Sequence, residues 1–111
     1  MAYSEKLADR VRDALEGRDG VSEKKMFGGL AFMVHGHMAC GVVGDDLMLR
    51  LGADGAEEVL TRTHVRPMDF TGRPMTGMVF VGAAGLRGTA LARWVEATLA
   101  FVGRLPPKSS A

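Results

Sequence analysis

The residues with the most chemical capacity gather near the middle of the chain, where His35, His37 and Cys40 lie within six positions, with His64 further on. Imidazole and thiolate are metal ligands, so a zinc-type site is the first chemistry to weigh. On an extended chain side chains alternate between faces. That places His35 and His37 together and Cys40, three residues after His37, on the other side. No Cys-x-x-Cys or His-x-x-x-His pair offers zinc-ligand spacing. The two histidines flank Gly36 and read as exposed turn residues. Cys40, between Ala39 and Gly41 in an apolar run, reads as a buried, inert thiol, because a reactive one needs an electropositive and partly exposed setting. No metal and no cofactor are expected.

Nucleophilic and acid–base chemistry find less. The serines are Ser4, Ser22, Ser109 and Ser110, and none sits on the sharp strand-to-helix turn that exposes a hydrolase serine. Asp45-Asp46 is a turn pair suited to local backbone hydrogen bonding, and Asp69 is accounted for by outward alternation on a strand. Gly28-Gly29 lacks the Gly-Lys-Ser/Thr ending of a phosphate loop and reads as a bend, a bulge or a close backbone approach. Gly82-Ala83-Ala84-Gly85 has the Gly-x-x-Gly form of an RNA-clamping loop but follows a strand instead of joining two helices. No catalytic residues are assigned.

Arginines and methionines carry what remains. Arg50, Arg66 and Arg73 lie at or beside strands, and converging guanidinium forks would suit a phosphate or carboxylate. Arg62, Arg66, Arg73 and Arg87 are the set a nucleic-acid surface would use. The methionines are Met1, Met26, Met33, Met38, Met48, Met68, Met75 and Met78. Methionine fills irregular cores and also makes adaptable binding surfaces. Met26, Phe27, Met68 and Met75 are the expected interaction surface.

The elements that must hold these residues follow from periodicity. Ser4 caps a helix to about Glu16, with Leu7, Val11 and Leu15 as its apolar stripe and Gly17 as its stop. Arg18 to Lys25 is a polar connection. Leu30 to Val34, His37 to Val43 and Leu47 to Leu51 read as strands joined by turns at His35-Gly36 and Gly44-Asp45-Asp46. Short loops make consecutive strands antiparallel. Asp54, three residues before Glu57, starts a short helix to about Thr61. Two further strands run from about Met68 to Thr71 and from Met75 to Val81, each entered just after a proline, with Thr71-Gly72 turning between them. After a loop from Gly82 to Gly88, Thr89 caps a last helix to about Gly103. Its apolar side is Leu91, Trp94, Val95, Thr98, Leu99 and Val102. The fold class is α+β: a meandering antiparallel sheet of five to six strands, with N-terminal and C-terminal helices packed on it and a short middle helix.

Bulk composition sets the outer bounds. A chain of 111 residues is one domain, here residues 1–104, with Leu105 to Ala111 as a frayed tail. Hydrophobic residues at 47% and charged residues at 24% are a globular balance, which excludes a disordered chain. A net charge of +1 gives no broad field for nucleic acid or acidic membranes. One cysteine excludes an internal disulfide. Met1 to Leu15 has no apolar signal core, and no apolar run approaches the ~20 residues of a membrane span. A cytoplasmic protein with no membrane partner is expected.

The run Lys24-Lys25-Met26-Phe27-Gly28-Gly29-Leu30-Ala31-Phe32 resembles the start of the TfoX N-terminal domain family. In the same order follow Gly36-His37-Met38, Leu47-Met48-Leu49-Arg50, Arg66-Pro67-Met68, Gly72-Arg73-Pro74-Met75, a Trp94-containing helix and Leu105-Pro106-Pro107-Lys108. The resemblance spans about Met1 to Lys108. It implies an α+β domain with an antiparallel sheet. The name-giving members regulate natural competence, acting with the cyclic-AMP receptor protein at promoters, and carry a second, C-terminal domain. The sequence ends where that domain would begin, so a competence role is not expected of it. The resemblance implies no catalytic residues. The leading expectation is a small regulatory or protein-interaction domain whose partner is another protein or a second copy in a homodimer. A nucleic-acid module, or a small-anion binder at an arginine-lined cleft, is the alternative.

Overall fold

The computed structural model describes residues 3–26, 28–69 and 74–106, apart from the side chains of Met68, Asp69, Pro74 and Met75. Helix α1 is Glu5–Leu15 and strands β1 to β4 are Val21–Met26, Gly29–Val34, His37–Val43 and Asp46–Arg50. Helix α2 is Gly52–Val59, β5 is Val65–Asp69, β6 is Pro74–Val81, and α3 is Ala90–Val102 after a short 3-10 turn at Ala83–Leu86. The strands form one antiparallel sheet of six in the order β1-β2-β3-β4-β6-β5. It is an α+β fold. No helix among the described residues is long and apolar enough to cross a membrane.

Local chemistry explains most of these elements. The Ser4 hydroxyl accepts from the Leu7 N–H at 3.1 Å and starts α1, whose buried face is Leu7, Ala8, Val11 and Leu15. Val34 pairs directly with His37, so His35-Gly36 is a two-residue hairpin loop, and both residues have positive φ, 50° and 85°. That is the geometry which matches the twist of the flanking strands. On β4, Leu47 and Leu49 enter the main core while Met48 enters a smaller cluster with Met78 and Phe80 on the far face. The three helices lie on the main-core side. Gly29 is a close backbone approach, because a β-carbon there would collide with the Val42 carbonyl.

Six expectations are corrected. Val21–Met26 is a strand, not a polar connection; it is an edge whose middle residues, Ser22 to Lys25, are exposed on both faces, so it carries no apolar alternation. The sheet meanders only through β4: β6 pairs with β4, and β5 takes the outer edge. Pro67 therefore lies inside β5, where an edge position tolerates its missing N–H. Asp54 does not cap α2, which begins after Leu51 with no side-chain cap, and Thr89 precedes α3 without a capping bond from its side chain. Finally, the register shifts between Phe32 and Met33, leaving Ala39 without a cross-strand partner. This bulge puts Ala39 and Cys40 both into the core and returns Cys40 to the face of His37, against the simple alternation. The turn at Thr71-Gly72 and residues 107–111 of the tail lie outside the described residues.

The bulge is tied to α3. The buried Thr98 hydroxyl lies 2.6 Å from the Ala39 carbonyl oxygen and 2.7 Å from that of Arg50, the last residue of β4. Its one proton is shared between two carbonyls at points where the ladder breaks or ends. Thr98→Val keeps the shape and removes the donor. It should lower unfolding free energy by about 1–3 kcal/mol in urea titration, because buried carbonyls are left unsatisfied; a loss under ~0.5 kcal/mol would show that water replaces the hydroxyl there.

At the surface, Arg12 donates to both oxygens of Glu23, at 2.7 and 2.8 Å, and to Asp9 at 2.7 Å. The Arg12 hydrogen bond holds the Glu23 carboxyl below its ordinary value near 4.5. A carboxyl whose pKa folding depresses adds stability above its unfolded value and loses it as pH falls through the folded one. Glu23→Gln should therefore cost up to about 1 kcal/mol at neutral pH, the scale of a solvent-exposed pair. The difference should shrink to nothing in acid; a difference that survives below both pKa values would assign it to packing instead.

Candidate functional site

Among the surface hollows of the described residues, two adjoin to form an uncovered groove. It runs between α2 and the outer side of α3 as two hollows of about 400 and 450 Å³ that share Leu51, Gly55, Glu58 and Ala97. Cavities of this size are in the range of ligand and peptide sites. The first hollow is bounded by Arg62, Arg93 and Trp94, the second by Phe101, Arg104 and the start of α2.

The sequence builds this groove from the geometry of α3. Leu91, Val95, Thr98, Leu99 and Val102 point into the core. Trp94 and Phe101, seven residues apart, lie beside that stripe and are only half buried, while Ala97 and Ala100 between them are exposed. The Trp94 indole N–H donates to the Gly85 carbonyl at 3.3 Å, which pins one edge of the ring. On the other wall, Gly52 has φ +79° and a β-carbon there would strike the Phe101 ring. Only glycine accepts both that conformation and that contact. The Leu51 N–H donates to the Gly77 carbonyl at 2.8 Å and anchors the start of α2 on β6.

Guanidinium groups decorate both aromatics. The Arg62 Cζ lies 5.4 Å from the Trp94 ring centre and the Arg50 Cζ 5.8 Å from that of Phe101. These are cation–π distances, worth about 0.5–1 kcal/mol where exposed. Arg62 takes this position although Glu58 lies four residues before it, and no ion pair joins them among the described residues.

The residues singled out from the sequence fall in several places. Arg50 lies over Phe101, whereas Arg66 lies 4.8 Å from the Phe80 ring centre and donates to Asp46 at 2.6 Å. Arg73 and Phe27 lie outside the described residues, as do the side chains of Met68 and Met75; Met26 ends β1, half buried. Met48 and Met78 are buried. The histidines correct the expectation in part. His35 is exposed in its turn, but His37 is only 8% exposed, with Nε2 at 2.5 Å from the Pro106 carbonyl oxygen and Nδ1 without a hydrogen-bond partner. Among the described residues no three His, Cys, Asp or Glu side chains gather as metal ligands would.

The groove residues Trp94, Phe101, Arg93 and Arg104 were not singled out for function. The available signal was the second stripe on α3: Ala90, Trp94, Ala97 and Phe101 repeat at helical spacing one step from the core stripe. Cys40 lies wholly inside, and burial pushes its thiol up to about 12. It should resist an aromatic disulfide reagent at pH 8 in the native protein and react promptly in denaturant; rapid native reaction would place it at the surface.

The sequence profile of the TfoX N-terminal domain matches residues 13–102, most of the chain, including both helices that flank the groove. Neither a search of curated proteins nor one of solved structures returned a significant match.

Proposed function

Because the chain belongs to the TfoX N-terminal domain family, we propose that it is a small cytoplasmic regulatory domain that acts by binding another protein and performs no chemistry itself. The observation that carries this reading is the uncovered stripe of α3, with Trp94 and Phe101 half buried across the groove from α2. Aromatic side chains in partly desolvated pockets are the usual anchors of protein–protein contacts. The lone inert thiol suits a reducing compartment. Transcription regulation, the setting the family resemblance implies, is where we place the contact.

The test is site-specific crosslinking in the native cell. A photo-reactive side chain at Ala97 should capture a defined partner, whereas the same group at exposed Ser22 on β1 should not. Ala97→Trp, which fills the groove at an exposed position, should cut recovery of that partner about tenfold without changing the melting temperature. Capture from Ser22 alone, or no partner above background from either site, would defeat the proposal.

A further inference from the structure

We infer that the groove between α2 and α3 receives an acidic amphipathic helix of the partner protein, an inference that rests on the binding-module reading above. The argument begins with the walls. Both are helices, whose backbone N–H and C=O groups are already bonded within themselves away from the ends. A groove of this kind offers no ladder to an extended peptide, unlike a sheet edge. Its occupant must satisfy its own main chain, and a helix does so. Trp94 and Phe101 are two helical turns apart, about 10 Å, and the two hollows share enough of their lining to form one channel along α3. A channel of that length matches apolar side chains at i, i+3, i+4 and i+7 of an incoming helix. A single small anion would meet one end and leave the other aromatic uncovered.

Charge selects the sign of that helix. Arg62, Arg93 and Arg104 line the channel together with Asp54 and Glu58, and Arg50 lies over the Phe101 ring. Elsewhere Arg12, Arg18 and Arg66 already bind carboxylates, and Arg10 binds the Leu86 and Gly88 carbonyls. Arg50, Arg62, Arg93 and Arg104 take part in no ion pair among the described residues, and neither do Asp54 and Glu58. Arginines outnumber carboxylates by three to two in the lining, and the aromatic faces of Trp94 and Phe101 each carry a guanidinium. Carboxylates flanking the apolar stripe of a docking helix would meet guanidinium forks on both walls.

A display library of helical 16-residue peptides tests this while the partner is still unidentified. Apolar positions keep helical spacing, and flanking positions vary over Asp, Glu, Lys, Arg and Gln. Selection should enrich Asp and Glu at the flanks. The best peptide should saturate a change in Trp94 emission, which reports this groove alone because the chain has one tryptophan. Its affinity should fall at least ~tenfold in Arg62→Glu/Arg93→Glu protein, whose melting temperature is checked in parallel. Enrichment of Lys and Arg, or no enrichment, overturns the inference, as does an affinity unchanged in the double variant. A dimer in light scattering with Trp94 silent to every peptide would name a second copy as occupant and also overturn it. These failures leave the binding-module reading standing if crosslinking from Ala97 still captures a partner; silence in both experiments removes both.

Discussion

The placement of α3 depends on one hydroxyl. Thr98 reaches two carbonyls, one at the Ala39 bulge and one on Arg50, the last residue of β4. Buried carbonyls must find donors, and this constraint fixes the rotation of the helix about its own axis. With Thr98 turned toward the sheet, Leu91, Val95, Leu99 and Val102 fall into the core on one side of it. Trp94, Ala97 and Phe101 fall on the other side, facing α2. The groove is thus a consequence of how the helix is pinned. Arg18 bonded to Glu96 at 2.6 Å and Arg10 bonded to the Leu86 carbonyl at 2.6 Å hold the same helix and its lead-in against α1.

Elements whose signal is local could be read from the sequence. Ser4 followed by an apolar period, the His35-Gly36 turn and the alternation of Leu47, Met48 and Leu49 each express a short-range rule, and each appears in the structure. What was not legible depends on distant neighbours. Ser22 to Lys25 forms a strand only because β2 supplies its hydrogen-bond partners; its polar side chains face solvent on both sides. The insertion of β6 between β4 and β5 is a long-range choice, permitted by Pro67 on the free edge. The bulge that carries Cys40 to the side of His37 has no marker in the residues around it.

The site shows the same division. The arginines stand out in the sequence as residues able to bind an anion, but a spacing argument cannot tell which of them neutralise local carboxylates. Asp46 takes Arg66, while Arg62 leaves Glu58 and lies on Trp94. Composition averaged this pattern to a charge of +1. Part of the methionine content has a packing explanation, since Met48 and Met78 line the far-face cluster with Phe80 and Met38 packs against it. The half-buried aromatics of α3 pack against the main core on one side and border the groove on the other.

The central claim is that Trp94 lines an open, electropositive groove. Collisional quenching of its fluorescence by iodide and by caesium measures both properties at once, because access governs the total and charge governs the ratio. The account predicts strong quenching by iodide, several-fold weaker quenching by caesium, and convergence of the two as inert salt screens the arginines. Equal quenching at low salt, or an indole inaccessible to both ions, would contradict it.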